Sequence, residues 1–206
     1  MISLRTPSGL FVFIATATVL GADVSAHERF ENATAGISLA PPAGWHVMSM
    51  QGVMENRAKV RLPDDQLTAG LQRAAAPLFV FSKYPEPHPA LNPTVQVVLR
   101  PAPASLGSSP TAILKATIAT LQQAFPDFRL VDPVQPTNVS GLAAAYMKAT
   151  YTLRTATGTT FPVMARTWLV PRGKVMFLIG MSGTPAGEDV AEAEFLSALE
   201  SVRIER

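Results

Sequence analysis

The sequence predicts an α+β protein in which helices flank an antiparallel β-sheet. Residues 142–182 form long period-two segments divided by two short turns, which is typical of an antiparallel meander. An apolar helical repeat that follows Ser109-Pro110 precedes the meander, and a second helical repeat follows it after Thr184-Pro185. Because the strands are grouped and the helices bracket them, the pattern favours α+β over an alternating α/β fold.

The N-terminus has the features of a signal peptide. A short basic region with Arg5 precedes an apolar stretch from Leu10 to Leu20, and Val24-Ser25-Ala26 places small residues at the −3 and −1 positions. The apolar stretch is about half the roughly 20 residues that span a bilayer. We therefore predict cleavage after Ala26 and a periplasmic or secreted protein; an uncleaved anchor is the alternative.

Length and composition limit the classes of protein to which the chain can belong. Removing residues 1–26 from the 206-residue chain leaves 27–206, a length typical of one domain. The chain contains no cysteine, which excludes disulfides, thiolate metal sites and cysteine nucleophiles. The formal net charge of +2 is too small to indicate a nucleic-acid partner. We expect an envelope protein or a small ligand as the partner.

The first half of the predicted domain contains short strands and one helix. Two alternating segments, 29–32 and 36–40, precede a Pro/Gly turn, after which Trp45 enters the next strand. Asp64 and Asp65 precede apolar residues at helical spacing, which predicts a short helix. The segments Leu78–Tyr84 and Thr94–Arg100 predict paired strands joined by a proline-rich loop.

The second half has the clearest periodicity. After Pro110, apolar residues recur at helical spacing until Pro126, which predicts a helix. In the meander, one predicted face of the first strand is apolar and comprises Met147, Ala149, Tyr151 and Leu153. The predicted C-terminal helix carries an apolar stripe of Ala191, Phe195, Leu199 and Val202.

The two ends of the predicted domain resemble a known superfamily. The segment 36–45, with the sequence GISLAPPAGW, and the segment 195–202, with the sequence FLSALESV, resemble the opening and the closing helix of PsbP/Mog1-like proteins. The resemblance implies an α-β-α sandwich built on an antiparallel sheet. It also implies an accessory or binding role, and it supplies no catalytic residues.

A copper site is one hypothesis for the chemistry of the chain. Cleavage after Ala26 would leave His27 with a free α-amine and an imidazole, and His46 or His88 would add a third nitrogen ligand suited to Cu(II). A terminus that begins with histidine by chance is the alternative. We otherwise expect no cofactor.

Two groups of cations are candidate ligand or partner surfaces. Arg57, Lys59 and Arg61 alternate with apolar residues, so an extended backbone would project them from one face toward an anionic lipid, glycan or partner. A solvated edge strand is the alternative. Arg166 and Trp168 share a face of a predicted strand, where they would grip a ligand or pack in the core with the arginine extending outward.

These observations favour an exported, non-catalytic binding or accessory protein of the cell envelope. Its binding groove is expected at a sheet edge or between helix and sheet, with walls that include the loop around His88 and the run from Arg57 to Arg61. A metal-dependent hydrolase or oxidase that uses His27, His46 and His88 is the alternative, and an assembly factor for an envelope complex is another.

Overall fold

The computed structural model of the protein describes residues 28–103, 109–185 and 188–205, so the predicted signal peptide lies outside the described residues. The helices are α1 (Met50–Lys59), α2 (Asp65–Gln72), α3 (Pro110–Ala124) and α4 (Glu188–Ser201). The strands are β1 (Phe30–Asn32), β2 (Ile37–Leu39), β3 (His46–Val47), β4 (Phe79–Ser82), β5 (Thr94–Pro101), β6 (Arg129–Val139), β7 (Leu142–Arg154), β8 (Thr160–Arg172), β9 (Val175–Gly183) and β10 (Arg203–Ile204).

The strands form two antiparallel sheets. The larger sheet has seven strands in the order β3-β4-β5-β9-β8-β7-β6. Its centre contains the predicted meander, β7-β8-β9, and the predicted pair β4 and β5, so both predictions are confirmed. The smaller sheet has the order β1-β2-β10 and joins the start of the described chain to its end.

Both faces of the larger sheet are covered. The predicted apolar residues of β7 are buried in one core cluster together with Leu71 of α2 and Leu114 and Leu121 of α3. On the opposite face, Phe177 and Ile179 of β9 are buried in a second cluster with α4 and the small sheet. The result is a three-layer α-β-α sandwich, which confirms the predicted α+β class.

Capping side chains determine where two of the helices begin. Ser109 Oγ accepts a hydrogen bond from Ala112 N at the start of α3, where Pro110 has no N–H to satisfy. Asp64 Oδ1 accepts hydrogen bonds from the backbone N–H groups of Gln66 and Leu67 at the start of α2. Both helices were predicted from these residues and are confirmed.

Helix α1 was not predicted, and it corrects the interpretation of the basic run. Ser49 Oγ caps the helix through Gly52 N, and Val53 and Asn56 are buried on its inner side. Arg57 and Lys59 therefore lie in a helix, where residues two apart point in directions that differ by about 200°. The prediction that an extended backbone projects Arg57, Lys59 and Arg61 from one face is wrong.

The C-terminal helix and the small sheet close the fold. The predicted stripe of α4 is confirmed, since Ala191 and Phe195 are buried, and the predicted start of the helix falls at residues 186–187, outside the described residues. Strand β10 was not predicted, because it forms only by pairing with β2 from the other end of the chain. Gly36, which precedes β2, has a φ of 61°, and a Cβ there would lie 2.5 Å from Arg172 Nη1, so a side chain would be strained.

Candidate functional site

A cleft of about 640 Å³ lies where the α1–α2 connection, the end of α3 and the edge of β7 meet. The exposed Pro63 and Pro126 provide apolar surface in the cleft, and its lining also includes the buried Leu62 and Phe125. Leu62 and Phe125 belong to the core cluster beneath α2 and α3, so these walls are fixed by packing. The cleft volume is within the range of about 300–1,000 Å³ that is typical of ligand sites.

The cleft opens onto a stretch of β7 that is paired with β8 on one edge and has no strand partner on the other. Pairing between β6 and β7 begins at Arg129 and Thr150. Beyond that point, Thr152 N donates a hydrogen bond to Asp127 Oδ1 at 3.1 Å, and Arg61 N donates to Arg154 O at 3.0 Å. A carboxylate and a connecting segment therefore replace the neighbouring strand along this part of the edge.

Charged side chains of both signs line the cleft. Arg61 forms an exposed ion pair with Asp65, with 2.8 Å between Nη2 and Oδ1. Asp127 and the exposed Arg154 complete the charged lining. The site therefore offers an apolar floor with both cationic and anionic groups, which suits a ligand that has polar and apolar parts.

The Asp127 carboxylate has a pKa below its ordinary value. Burial alone would raise the pKa, but hydrogen bonds from the hydroxyl and the backbone N–H of Thr152, with the nearby charge of Arg129, lower it by more. The ionised carboxylate therefore stabilises the fold above its ordinary pKa, and this contribution is lost as the pH falls through the depressed value.

The substitution Thr152→Val is expected to raise the pKa of Asp127, because it removes the hydroxyl donor and leaves the backbone donor in place. The measurement is an NMR pH titration of the Asp127 side-chain carboxyl carbon. Thr150→Val, on the same strand, is the matched control and should leave the titration unchanged. An equal shift in both variants, or none in Thr152→Val, would contradict this account of the carboxylate.

His46 and His88 of the copper hypothesis lie in a strand and in the proline-rich loop, respectively. His46 on β3 pairs with Ser82 and lines a cavity of about 10 Å³ together with Glu86. His88 stacks on the Tyr84 ring at 4.8 Å. No cluster of three metal-binding side chains occurs within 28–103, 109–185 and 188–205. His27 lies outside these ranges, so the copper site stays a prediction.

Arg166 and Trp168 share one face of β8, as predicted, but they do not form a surface. Arg166 is 2% exposed, forms an ion pair with Glu192 of α4 and lies over the Phe195 ring at 5.5 Å. Trp168 is buried and packs against Tyr146 at 4.9 Å. Helix α4 covers both residues, so the predicted ligand surface at these positions is corrected to a part of the core.

The basic run contributes one residue to the cleft, since Arg61 lines it and Arg57 lies elsewhere. Sequence reasoning missed Phe125, Asp127, Thr152 and Arg154. Phe125 was identified as the end of a helical stripe, and its position before Pro126 is the one local signal that the chain turns there. The His88 loop does not border this cleft.

Comparison with known proteins identifies the fold. No family model matches the chain, and no curated protein matches it. The solution structure of cyanobacterial PsbP (CyanoP) from Synechocystis sp. PCC 6803 is 12% identical, covers 91% of this chain and 98% of its own, and gives a TM-score of 0.55. LpqN, a protein of Mycobacterium tuberculosis involved in cell envelope biogenesis, is 14% identical, covers 91% of both chains and gives a TM-score of 0.52. The chain therefore has the PsbP-like fold that these two structures show.

Proposed function

We propose that the protein is an exported, non-catalytic binding protein of the cell envelope, and that its cleft receives an extended segment of a partner protein. The observation that carries this proposal is the combination, at one place, of an apolar floor, charges of both signs and a strand edge without a strand partner. These are the three features by which a protein holds an extended peptide.

Each feature of the cleft has a separate task in such binding. An apolar side chain of the partner would pack on the exposed Pro63 and Pro126, next to Leu62 and Phe125, which the core holds in place. Acidic and basic groups of the partner would face Arg154 and Asp127. The edge of β7 near Thr152 would provide backbone hydrogen bonds, with the Asp127 carboxylate moving aside.

The envelope location is supported by two observations. The sequence predicts a signal peptide that ends at Ala26. LpqN, which shares the fold, is involved in cell envelope biogenesis. No helix of the described ranges is long and apolar enough to cross a bilayer.

Site-specific photocrosslinking in the cells that express the protein tests the proposal. A photoreactive residue at Pro126, on the cleft, should give a crosslink to one envelope protein, identified by mass spectrometry. The same residue at the exposed Glu31 on β1 should not give that crosslink. Crosslinks that are equal at the two positions, or a bound small molecule with no protein crosslink, would contradict the proposed partner.

A further inference from the structure

Two methionine side chains lie exposed on one face of α1. Met50 and Met54 are one helical turn apart, a spacing that places Cβ atoms about 5–6 Å from one another. Met50 is 45% exposed and Met54 is 41% exposed. The methionines of the central strands are, in contrast, buried in the core: Met147, Met164, Met176 and Met181. Helix α1 therefore presents two neighbouring thioethers to solvent.

The surface around the two methionines is polar. The other exposed residues of α1 are Gln51, Glu55, Ala58 and Lys59, and Gln51 Nε2 donates a hydrogen bond to Glu55 Oε1 at 2.9 Å. Surfaces that dock an apolar partner are contiguous apolar patches on the order of several hundred Å². Two side chains set among polar groups are too narrow for such a partner, whereas a metal ion needs only the two sulfur atoms.

The chemistry of the thioether selects the kind of metal ion. Its sulfur is a soft, polarisable ligand that suits Cu(I), whereas Mg²⁺ and Ca²⁺ prefer oxygen ligands. The chain contains no cysteine, so methionine supplies all of its sulfur ligands. The unbranched methionine side chain rotates about three bonds, so two sulfurs one turn apart can converge on one ion. Cu(I) and its analogue Ag(I) accept low coordination numbers, so a pair of sulfurs is sufficient to hold either ion.

We infer that Met50 and Met54 together bind a soft monovalent metal ion, Cu(I) or Ag(I). This site differs from the copper hypothesis of the sequence, which concerns Cu(II) and nitrogen ligands from His27, His46 and His88. Neither methionine lines the cavity beside His46 or the proposed cleft. The metal site and the partner proposed for the cleft therefore succeed or fail separately.

A titration of the purified protein with Ag(I), followed by NMR of ¹³C-labelled methionine methyl groups, tests the inference. The methyl signals of Met50 and Met54 are expected to shift together and to saturate. Cu(I), added in the absence of oxygen, should compete with Ag(I) for the same signals. Zn²⁺ should leave them unchanged, because it prefers nitrogen, oxygen and thiolate ligands.

Substitution by leucine removes one sulfur and nearly conserves the volume and helix propensity of the side chain. Met50→Leu and Met54→Leu should each weaken Ag(I) binding by about tenfold or more, because one of the two ligands is lost. Met176→Leu makes the same change at a buried position on β9 and is the matched control. It should bind Ag(I) like the unmodified protein.

Folding of the variants is checked without metal. The melting temperatures of Met50→Leu and Met54→Leu should equal that of the unmodified protein, because both side chains are exposed. Ag(I) should then raise the melting temperature of the unmodified protein and of Met176→Leu by more than that of Met50→Leu. Equal Ag(I) affinity of Met50→Leu and Met176→Leu, or the absence of saturable shifts at Met50 and Met54 with both ions, would overturn the inference.

Discussion

Replacing Phe195 with alanine is expected to lower the free energy of unfolding by about 3–5 kcal/mol, the usual cost of removing a buried aromatic ring. Phe195 is 2% exposed, and its ring contacts Trp45 edge-to-face at 5.9 Å between centroids. The ring also lies beneath the guanidinium of Arg166. Its loss would open a cavity where α4 meets the sheet, and urea denaturation followed by circular dichroism measures the effect.

Leu196→Ala is the matched control for this substitution. Leu196 is the next residue of α4 but is 46% exposed, so its replacement should change the free energy of unfolding by no more than about 0.5 kcal/mol. Similar losses in the two variants would show that α4 does not pack on the sheet through Phe195.

Replacing Asn92 with alanine is expected to lower the free energy of unfolding by about 2–4 kcal/mol, because several hydrogen bonds are lost together. Asn92 is fully buried; its Oδ1 accepts from Tyr84 N at 3.0 Å, and its Nδ2 donates to Tyr84 O at 2.8 Å and to Glu86 Oε1 at 2.9 Å. The side chain therefore holds both ends of the proline-rich loop together. Thermal or urea denaturation measures the loss.

Amide hydrogen exchange gives the Asn92 prediction a local readout. The Tyr84 amide should exchange faster in Asn92→Ala, because its acceptor is removed. Asn138→Ala, at an exposed position on β6, should leave both the stability and the exchange of the loop unchanged. A stable Asn92→Ala variant with unchanged exchange at Tyr84 would mean that the loop is held by other contacts.

Local signals account for the part of the fold that could be predicted. Proline and serine at the start of α3, and strict alternation along β7, specify their elements within a few residues. Helix α1 was missed because Arg57, Lys59 and Arg61 alternate with apolar residues over its last turn and just beyond it, a pattern that resembles a strand. The two-residue strand β10 has no local signal, since β2 alone determines it.

The candidate cleft was less predictable than the fold, because it joins residues that are distant in the sequence. Arg61 was identified as a cation of a basic run, but its neighbours Asp127 and Arg154 come from a turn after α3 and from the end of β7. For Arg166 the sequence left both a ligand contact and core packing open, because its partner, Glu192, lies on another element.

The central claim is that the cleft binds a partner, and charge reversal at its rim tests this most directly. The yield of the photocrosslink from position 126 is measured in Arg154→Glu, at the cleft, and in Arg73→Glu as the control. Arg73 lies at the C-terminal end of α2, whereas Asp65, which lines the cleft, lies at its N-terminal end. We predict that Arg154→Glu abolishes the crosslink and that Arg73→Glu retains it. Equal crosslink yields in the two variants would contradict the assignment of the cleft as the binding site.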